Sequence, residues 1–208
     1  MLSEIMERNK SLLQGTGSYL LPRLDKMIDL MRTVENTAND DFFNSFRYVK
    51  FSKGDFFVKE GAVCRNLLLL EQGNVRQYMN KNGAEPIACF SFPGEYIVSY
   101  KSFEFNKPAN VNIQFVTDAS GYSISWANLA KLKLTYQILS EIERLALDCT
   151  IYSLEERMYQ FMFTPARERY RYLLYYRPTL LHHISLTNIA FYLGITLETL
   201  SRIRSKLE

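Results

Sequence analysis

The chain has 208 residues, with 25 Lys and Arg against 22 Asp and Glu, a formal net charge of +3 and 47% hydrophobic residues, a balance that excludes a disordered or fibrous protein. Cys64, Cys89 and Cys149 are too scattered for a disulfide framework, a zinc site or an iron–sulfur cluster, so no metal is expected. The longest purely aliphatic run, residues 67–70, is far short of the roughly 20 residues of a membrane span, and the acidic N-terminal stretch does not read as a signal peptide, so the expectation is a cytoplasmic protein with no membrane contact.

Residues 1–40 read as short helices with a loop around residues 15–17. Between residues 54 and 121 lie six of the nine glycines, mostly about ten apart, which is the rhythm of short strands and turns. Asn82-Gly83 supplies a hairpin turn because both residues tolerate positive φ. Ala109, Val111, Ile113 and Phe115 alternate with Asn110, Asn112 and Gln114, which predicts a strand with one buried face. About eight such strands without long helices between them predict an antiparallel roll or sandwich over residues 41–126.

From Trp126 glycine vanishes until Gly194 and the apolar period lengthens to about 3.5, so the chain becomes helical. Ile138, Ile142, Leu145, Cys149, Tyr152, Glu156, Tyr159 and Phe163 are spaced alternately four and three apart, with Glu156 discordant. Such a stripe packs either on the protein's own barrel or on a second copy. One helix over residues 127–163, roughly 35 residues and about 50 Å long, outreaches a small barrel, which favours a two-fold dimer seam.

Thr164-Pro165 reads as a restart, with Thr164 as N-cap and proline in the first turn. Residues 166–177 form the next helix, ended by Pro178. The stretch 151–208 holds eight basic and five acidic side chains, so the whole net excess sits here and points to an anionic partner. Over residues 184–207 two short amphipathic helices meet at Gly194, the pattern of a helix-turn-helix. Ser185 and Thr196 cap the helices, Ala190 permits close approach, and Ile189, Leu193, Ile195, Leu200, Ile203 and Leu207 supply the core. Leu197, Glu198, Ser201, Arg202 and Ser205 remain on the outer face, suited to a major groove about 12 Å wide. Arg204 and Lys206 flank them as phosphate contacts.

This layout resembles the Crp/Fnr family of bacterial transcription regulators. The resemblance implies an α+β fold: an antiparallel β-roll of cyclic-nucleotide-binding type, a long dimerisation helix, and a C-terminal helix-turn-helix domain over residues 164–208. Its most specific part is Gly194-Ile195-Thr196-Leu197-Glu198-Thr199-Leu200-Ser201-Arg202, which matches the family pattern Gly, apolar, Ser/Thr, any, Glu, Thr, apolar, any, Arg. By that match Glu198 and Arg202 are base readers, with Leu197 and Ser201 beside them, and Thr196 and Thr199 are phosphate anchors. Ser185 and Thr187 join the phosphate set. Where the catabolite-activator branch has a second arginine this chain has Leu197, suited to a thymine methyl. The chain stops at Glu208, directly after the recognition helix, which leaves no residues for the family's terminal wing.

In the sensor half Lys53-Gly54-Asp55, Glu60-Gly61, Gly73, Gly83 and Pro93-Gly94-Glu95 fall where the family's turns are expected. In cyclic-AMP-binding members a Gly-Glu pair holds the ribose and a following Arg-Ser or Arg-Thr clamps the cyclic phosphate. Here Gly94-Glu95 remains, but the later segment reads Asn106-Lys107-Pro108-Ala109. Lys107 lacks the planar fork of arginine and Pro108 lacks an N–H, which argues against cyclic AMP. Glu95 and Lys107 stay as candidate effector residues. A haem lacks an axial histidine in the sensor, and His182 and His183 read as surface or cap residues. Phe90, Phe92, Tyr96, Tyr100, Phe103 and Phe105 line either an apolar effector pocket or simply the core.

The reading is therefore a non-enzymatic homodimer that binds a near-palindromic duplex, with an RNA polymerase contact if it activates. A metalloenzyme of the cupin type fails because the barrel has no histidine. A ligand-binding adaptor without DNA activity is the alternative.

Overall fold

The computed structural model describes residues 1–13, 21–81, 83–176 and 184–207; the expected loop at residues 15–17, Asn82, Pro178, His182 and His183 lie outside them. The N-terminal segment holds α1 (Leu2–Leu13), α2 (Leu21–Thr37) and α3 (Asp40–Asn44). At 17 residues, α2 is longer than the short helices expected there. The Glu35 carboxylate of α2 accepts from the backbone N–H groups of Leu2 and Ser3 and from the Ser3 hydroxyl, so it satisfies donors that the first turn of α1 leaves orphaned.

Eight strands follow: β1 (Arg47–Phe51), β2 (Phe56–Val58), β3 (Asn66–Gln72), β4 (Val75–Tyr78), β5 (Ile87–Ser91), β6 (Tyr96–Ile97), β7 (Asn112–Phe115) and β8 (Ala119–Ser125), with α4 (Tyr100–Phe105) between β6 and β7. They form two four-stranded sheets, ordered β1-β8-β3-β6 and β2-β7-β4-β5, and every pair is antiparallel. The roll encloses Leu68, Leu70, Val75, Ile97, Ile113 and Phe115. Gly121 is required where β8 crosses β3, since a Cβ there would stand 2.2 Å from the Leu69 carbonyl oxygen. Of the alternation expected over residues 109–115, Ala109, Ile113 and Phe115 are buried, while Val111 is only half-buried, as Asn112 and Gln114 are, and the paired strand is only β7.

The unbroken run of leucines in β3 has a packing reason. Leu68 and Leu70 point into the roll, while Leu69 packs on the other face against Met27, Ile28, Phe42 and Ile142. A strand covered on both faces loses the polar half of its alternation.

The single helix expected over residues 127–163 is two helices, α5 (Trp126–Thr135) and α6 (Ile138–Phe163). Tyr136 breaks the path at φ −116° and ψ 82°, where its ring packs edge-on to Phe42 and its hydroxyl lies 3.2 Å from Asn39 Oδ1. The remaining helix of 26 residues is about 39 Å long. The expected N-cap at Thr164 is also revised. Thr164 is the extended C-cap of α6, and the Pro165 carbonyl accepts from Arg169 N at 3.1 Å, which makes Pro165 the residue before α7 (Ala166–Tyr176). The chain then forms α8 (Leu186–Leu193) and α9 (Leu197–Ser205).

Candidate nucleic-acid interface

The two last helices are built as local chemistry requires. Ser185 Oγ accepts from Asn188 N at 3.2 Å and Thr196 Oγ1 accepts from Thr199 N at 3.2 Å, so each hydroxyl occupies an N-cap. Gly194 closes α8 at φ 66°, a left-handed conformation in which the Ile195 N–H returns to the Ala190 carbonyl at 3.0 Å. Ile189, Ala190, Leu193 and Leu200 are buried between the helices, whereas Ile195, Ile203 and Leu207 are half-buried at the edge.

That packing leaves one face of α9 in solvent. Leu197, Glu198, Ser201 and Arg202 are exposed together, and Ser205 and Lys206 continue the exposed face. Leu197, 42% exposed, is an unburied aliphatic on a polar ridge. The Glu198 carboxyl is held below the usual carboxylate range first by its own backbone N–H and then by the Thr196 hydroxyl; desolvation opposes this, and the nearby Arg202 charge adds the least. It is an ionised acceptor beside a cationic donor. At the helix N-termini Ser185, Thr187 and Thr196 are exposed, while Thr199 is half-buried with its hydroxyl 3.1 Å from that of Thr196. Arg204 is half-buried and already engaged.

The α8–α9 pair rests on the roll. α8 packs against β5, and Tyr192 meets the Phe90 ring at 5.0 Å. Tyr78, Ile87, Phe90 and Phe92 of the roll share one core with Tyr170, Leu173 and Leu200. Arg76 of β4 reaches Asn188 Oδ1 at 3.4 Å while paired with Glu85 at 2.8 Å and Gln114 Oε1 at 2.7 Å.

The expected seam divides. Ile142 and Leu145 are buried and Ile138 and Cys149 are half-buried against the chain's own N-terminal helices. Tyr152 is taken by Arg23, whose guanidinium lies 4.6 Å over the ring and donates to the hydroxyl at 3.0 Å. Only Tyr159 and Phe163 remain exposed. A neighbouring stripe, Leu147, Ile151, Leu154, Met158 and Phe161, has the same four-three spacing and no charged member, and its last four residues are exposed. The sequence carried this signal as plainly as the one chosen; only burial tells which stripe the N-terminal helices cover.

The effector candidates are separated. Glu95 lines a cleft of about 1020 Å³ between the N-terminal helices, α6, the roll and the α8–α9 pair, and its carboxylate accepts from Phe92 N at 3.3 Å. Lys107 is exposed and outside that lining. Asn106 turns the chain at φ 49°, the Lys107 carbonyl is engaged by the Ser102 hydroxyl, and Pro108 bridges Val63. This segment offers a cyclic phosphate no guanidinium, and Pro108 offers it no N–H. Of the aromatics, Phe90, Phe92, Tyr96, Tyr100 and Phe103 line the cleft, and Phe105 is exposed. Sequence reasoning missed Arg76, Arg157 and Arg169, whose hydrogen-bond partners lie 5 to 112 positions away along the chain.

Residues 48–136 match the family model described as the cyclic nucleotide-binding domain. No curated protein is significantly similar in sequence. Among solved structures, FixK2 from Bradyrhizobium japonicum superposes with a TM-score of 0.64 at 22% identity, over 78% of this chain and 84% of that one. The c-di-GMP responsive global regulator CLP of Xanthomonas campestris gives 0.63 at 17% identity, over 81% and 89%. A protein of Eubacterium rectale described as a crp/fnr-family transcriptional regulator gives 0.64 at 17% identity, over 82% and 83%. The chain therefore has the fold of Crp/Fnr-type regulators, with residues 48–136 as its cyclic nucleotide-binding-type domain.

Proposed function

We propose that the chain is a homodimeric DNA-binding transcription regulator of the Crp/Fnr type. The observation that carries this reading is the joint exposure of Leu197, Glu198, Ser201 and Arg202 on a second helix held by a glycine turn and a threonine cap. Arg202 donates its fork to guanine O6 and N7, Glu198 accepts from cytosine N4, and Leu197 meets a thymine methyl. Ser185, Thr187, Thr196, Thr199, Arg204 and Lys206 surround this ridge with hydroxyls and positive charge, and in this reading they meet the phosphates on either side. The second subunit joins along Ile151, Leu154 and Met158 of α6, which sets two recognition helices about 34 Å apart on a near-palindromic site.

In this reading residues 41–126 are a sensor whose effector is not cyclic AMP, and the protein acts in the cytoplasm without catalysis. Selecting bound sequences from random duplex DNA tests the assignment. A two-fold-related pair of half-sites is expected. Arg202→Ala should then weaken binding by about 1–3 kcal/mol per half-site and relax the base preference at one position. Equal affinity of both proteins for specific and random duplexes removes Arg202 from this role, and a near-zero salt dependence leaves the adaptor reading instead.

A further inference from the structure

The cleft between the N-terminal helices, α6, the roll and the α8–α9 pair has largely apolar walls, among them Met27, Phe92 and Leu173. Its end beneath α8 is different in kind. Arg157 and Arg169 both line it there, with their guanidinium carbons 5.0 and 5.1 Å from the centre of the same Phe161 ring. Arg157 also stacks 4.1 Å over Tyr192. Every hydrogen-bond acceptor that these two guanidiniums have among the described residues is a backbone carbonyl. Arg169 Nε is buried with no partner among those residues. Burial and the neighbouring Arg157 charge lower the Arg169 pKa. Two guanidiniums on the wall of an apolar cleft that Glu95 also lines, neither with an ion-pair partner within 4 Å among the described residues, favour an anion beside them.

The same pair grips the turn between α8 and α9. Arg157 Nη2 donates to the Tyr192 carbonyl at 3.2 Å and Arg169 Nη2 to the Leu193 carbonyl at 2.8 Å, the last residues of α8 before Gly194. Phe161 abuts that turn closely: a Cβ on Gly194 would stand 2.5 Å from its Cε1. We propose that this end of the cleft binds the head of a small amphipathic anion, a carboxylate or phosphate on an apolar chain lying along α6. Occupancy draws the guanidiniums from the α8 carbonyls and repositions the recognition helix. The coupling half rests on the DNA-binding reading; the binding half does not. A cleft of this volume holds a ligand of drug or fatty-acyl size.

Calorimetric titration of the full chain with decanoate, decyl phosphate, decan-1-ol and acetate, each below its micellar concentration, tests this. At least one long-chain anion should saturate near one per chain and bind about tenfold or more tightly than decan-1-ol or acetate. Decanoate against decyl phosphate decides the head group. Arg157→Gln should remove that preference while leaving decan-1-ol unchanged. It is the safer variant, because the carbonyl bonds Arg157 gives up, 3.2 and 3.5 Å, are longer than the 2.6 and 2.8 Å bonds of Arg169, and thermal melting checks the fold once its stacking on Tyr192 and Phe161 is lost. Binding of decan-1-ol as tight as that of both anions, no saturation by either anion, or an unaltered preference in Arg157→Gln overturns the site. Operator affinity that does not change at saturating ligand overturns the coupling. Absence of any operator binding defeats the regulator reading and the coupling with it, and leaves the calorimetric result for the site standing.

Discussion

At the scale of the residue, the chemistry follows from what surrounds each polar atom. Ser185 and Thr196 were legible as caps because a hydroxyl before an amphipathic run has only the exposed N–H groups of the next turn to serve. Thr164 had the same signature and failed, since Pro165 took the position before α7 and left Thr164 extended. Cys89 shows what a sequence does not announce. Burial, with a smaller contribution from Glu95, pushes its thiol up to about 12, so it carries almost no thiolate at pH 8. Cys64 and Cys149 are raised by burial as well. Native protein at pH 8 should therefore react slowly with Ellman's reagent and unfolded protein rapidly, as the time course of absorbance would report. The sign for stability follows. Above its ordinary value of 9.0 the unfolded chain ionises Cys89 and the fold does not, so this thiol erodes stability as pH rises from 9.0 toward about 12.

The element scale explains where periodicity sufficed and where it misled. A period of two and a rhythm of glycines were enough for an antiparallel roll, because a strand with one wet face alternates whatever its partner is, and β3, covered on both faces, escapes that pattern. A four-three stripe, by contrast, marks a helix without saying what covers it. Ile142 and Leu145 are covered by the chain's own N-terminal helices, a contact between segments more than a hundred residues apart. The break at Tyr136 was hidden for the same reason: Phe42 of α3 supplies its ring contact and Asn39, the N-cap of α3, its hydroxyl contact. The turn between α8 and α9 is local and was readable from one glycine. Gly194→Ala should destabilise the protein by about 1–3 kcal/mol, since alanine at φ 66° is strained and its Cβ would collide with Phe161. Thermal or urea melting measures this, and an unchanged midpoint would mean that Phe161 moves aside freely.

For the whole molecule, the decisive arrangement is one chain divided among three hydrophobic clusters that its two sheets share. The first sheet carries the N-terminal helices and α6, the second carries α8 and its neighbours, and the roll lies between. This arrangement leaves the stripe through Ile151, Leu154 and Met158 facing solvent, 54%, 61% and 60% exposed. Contiguous exposed apolar surface on a helix marks an interaction site. For the dimer proposed along this stripe, the double substitution Leu154→Glu, Met158→Glu should lower the mass to that of a monomer in sedimentation equilibrium at micromolar concentration and weaken binding to the proposed operator, whose two half-sites need two subunits. An unchanged mass would return the dimer contact to another surface. No helix among the described residues is long and apolar enough to cross a membrane.

The amino-acid sequence alone determined that an antiparallel roll is followed by helices ending in two short ones joined at a glycine, and the polar face of the last helix, because strand alternation, caps and a positive-φ glycine act over a few neighbouring residues. Tertiary structure decided which side of α6 is covered, how α8 sits against β5, and that Arg157 and Arg169 share one aromatic ring at the end of a cleft. Those outcomes depend on surfaces meeting across long stretches of chain, and no local spacing encodes which surfaces will meet.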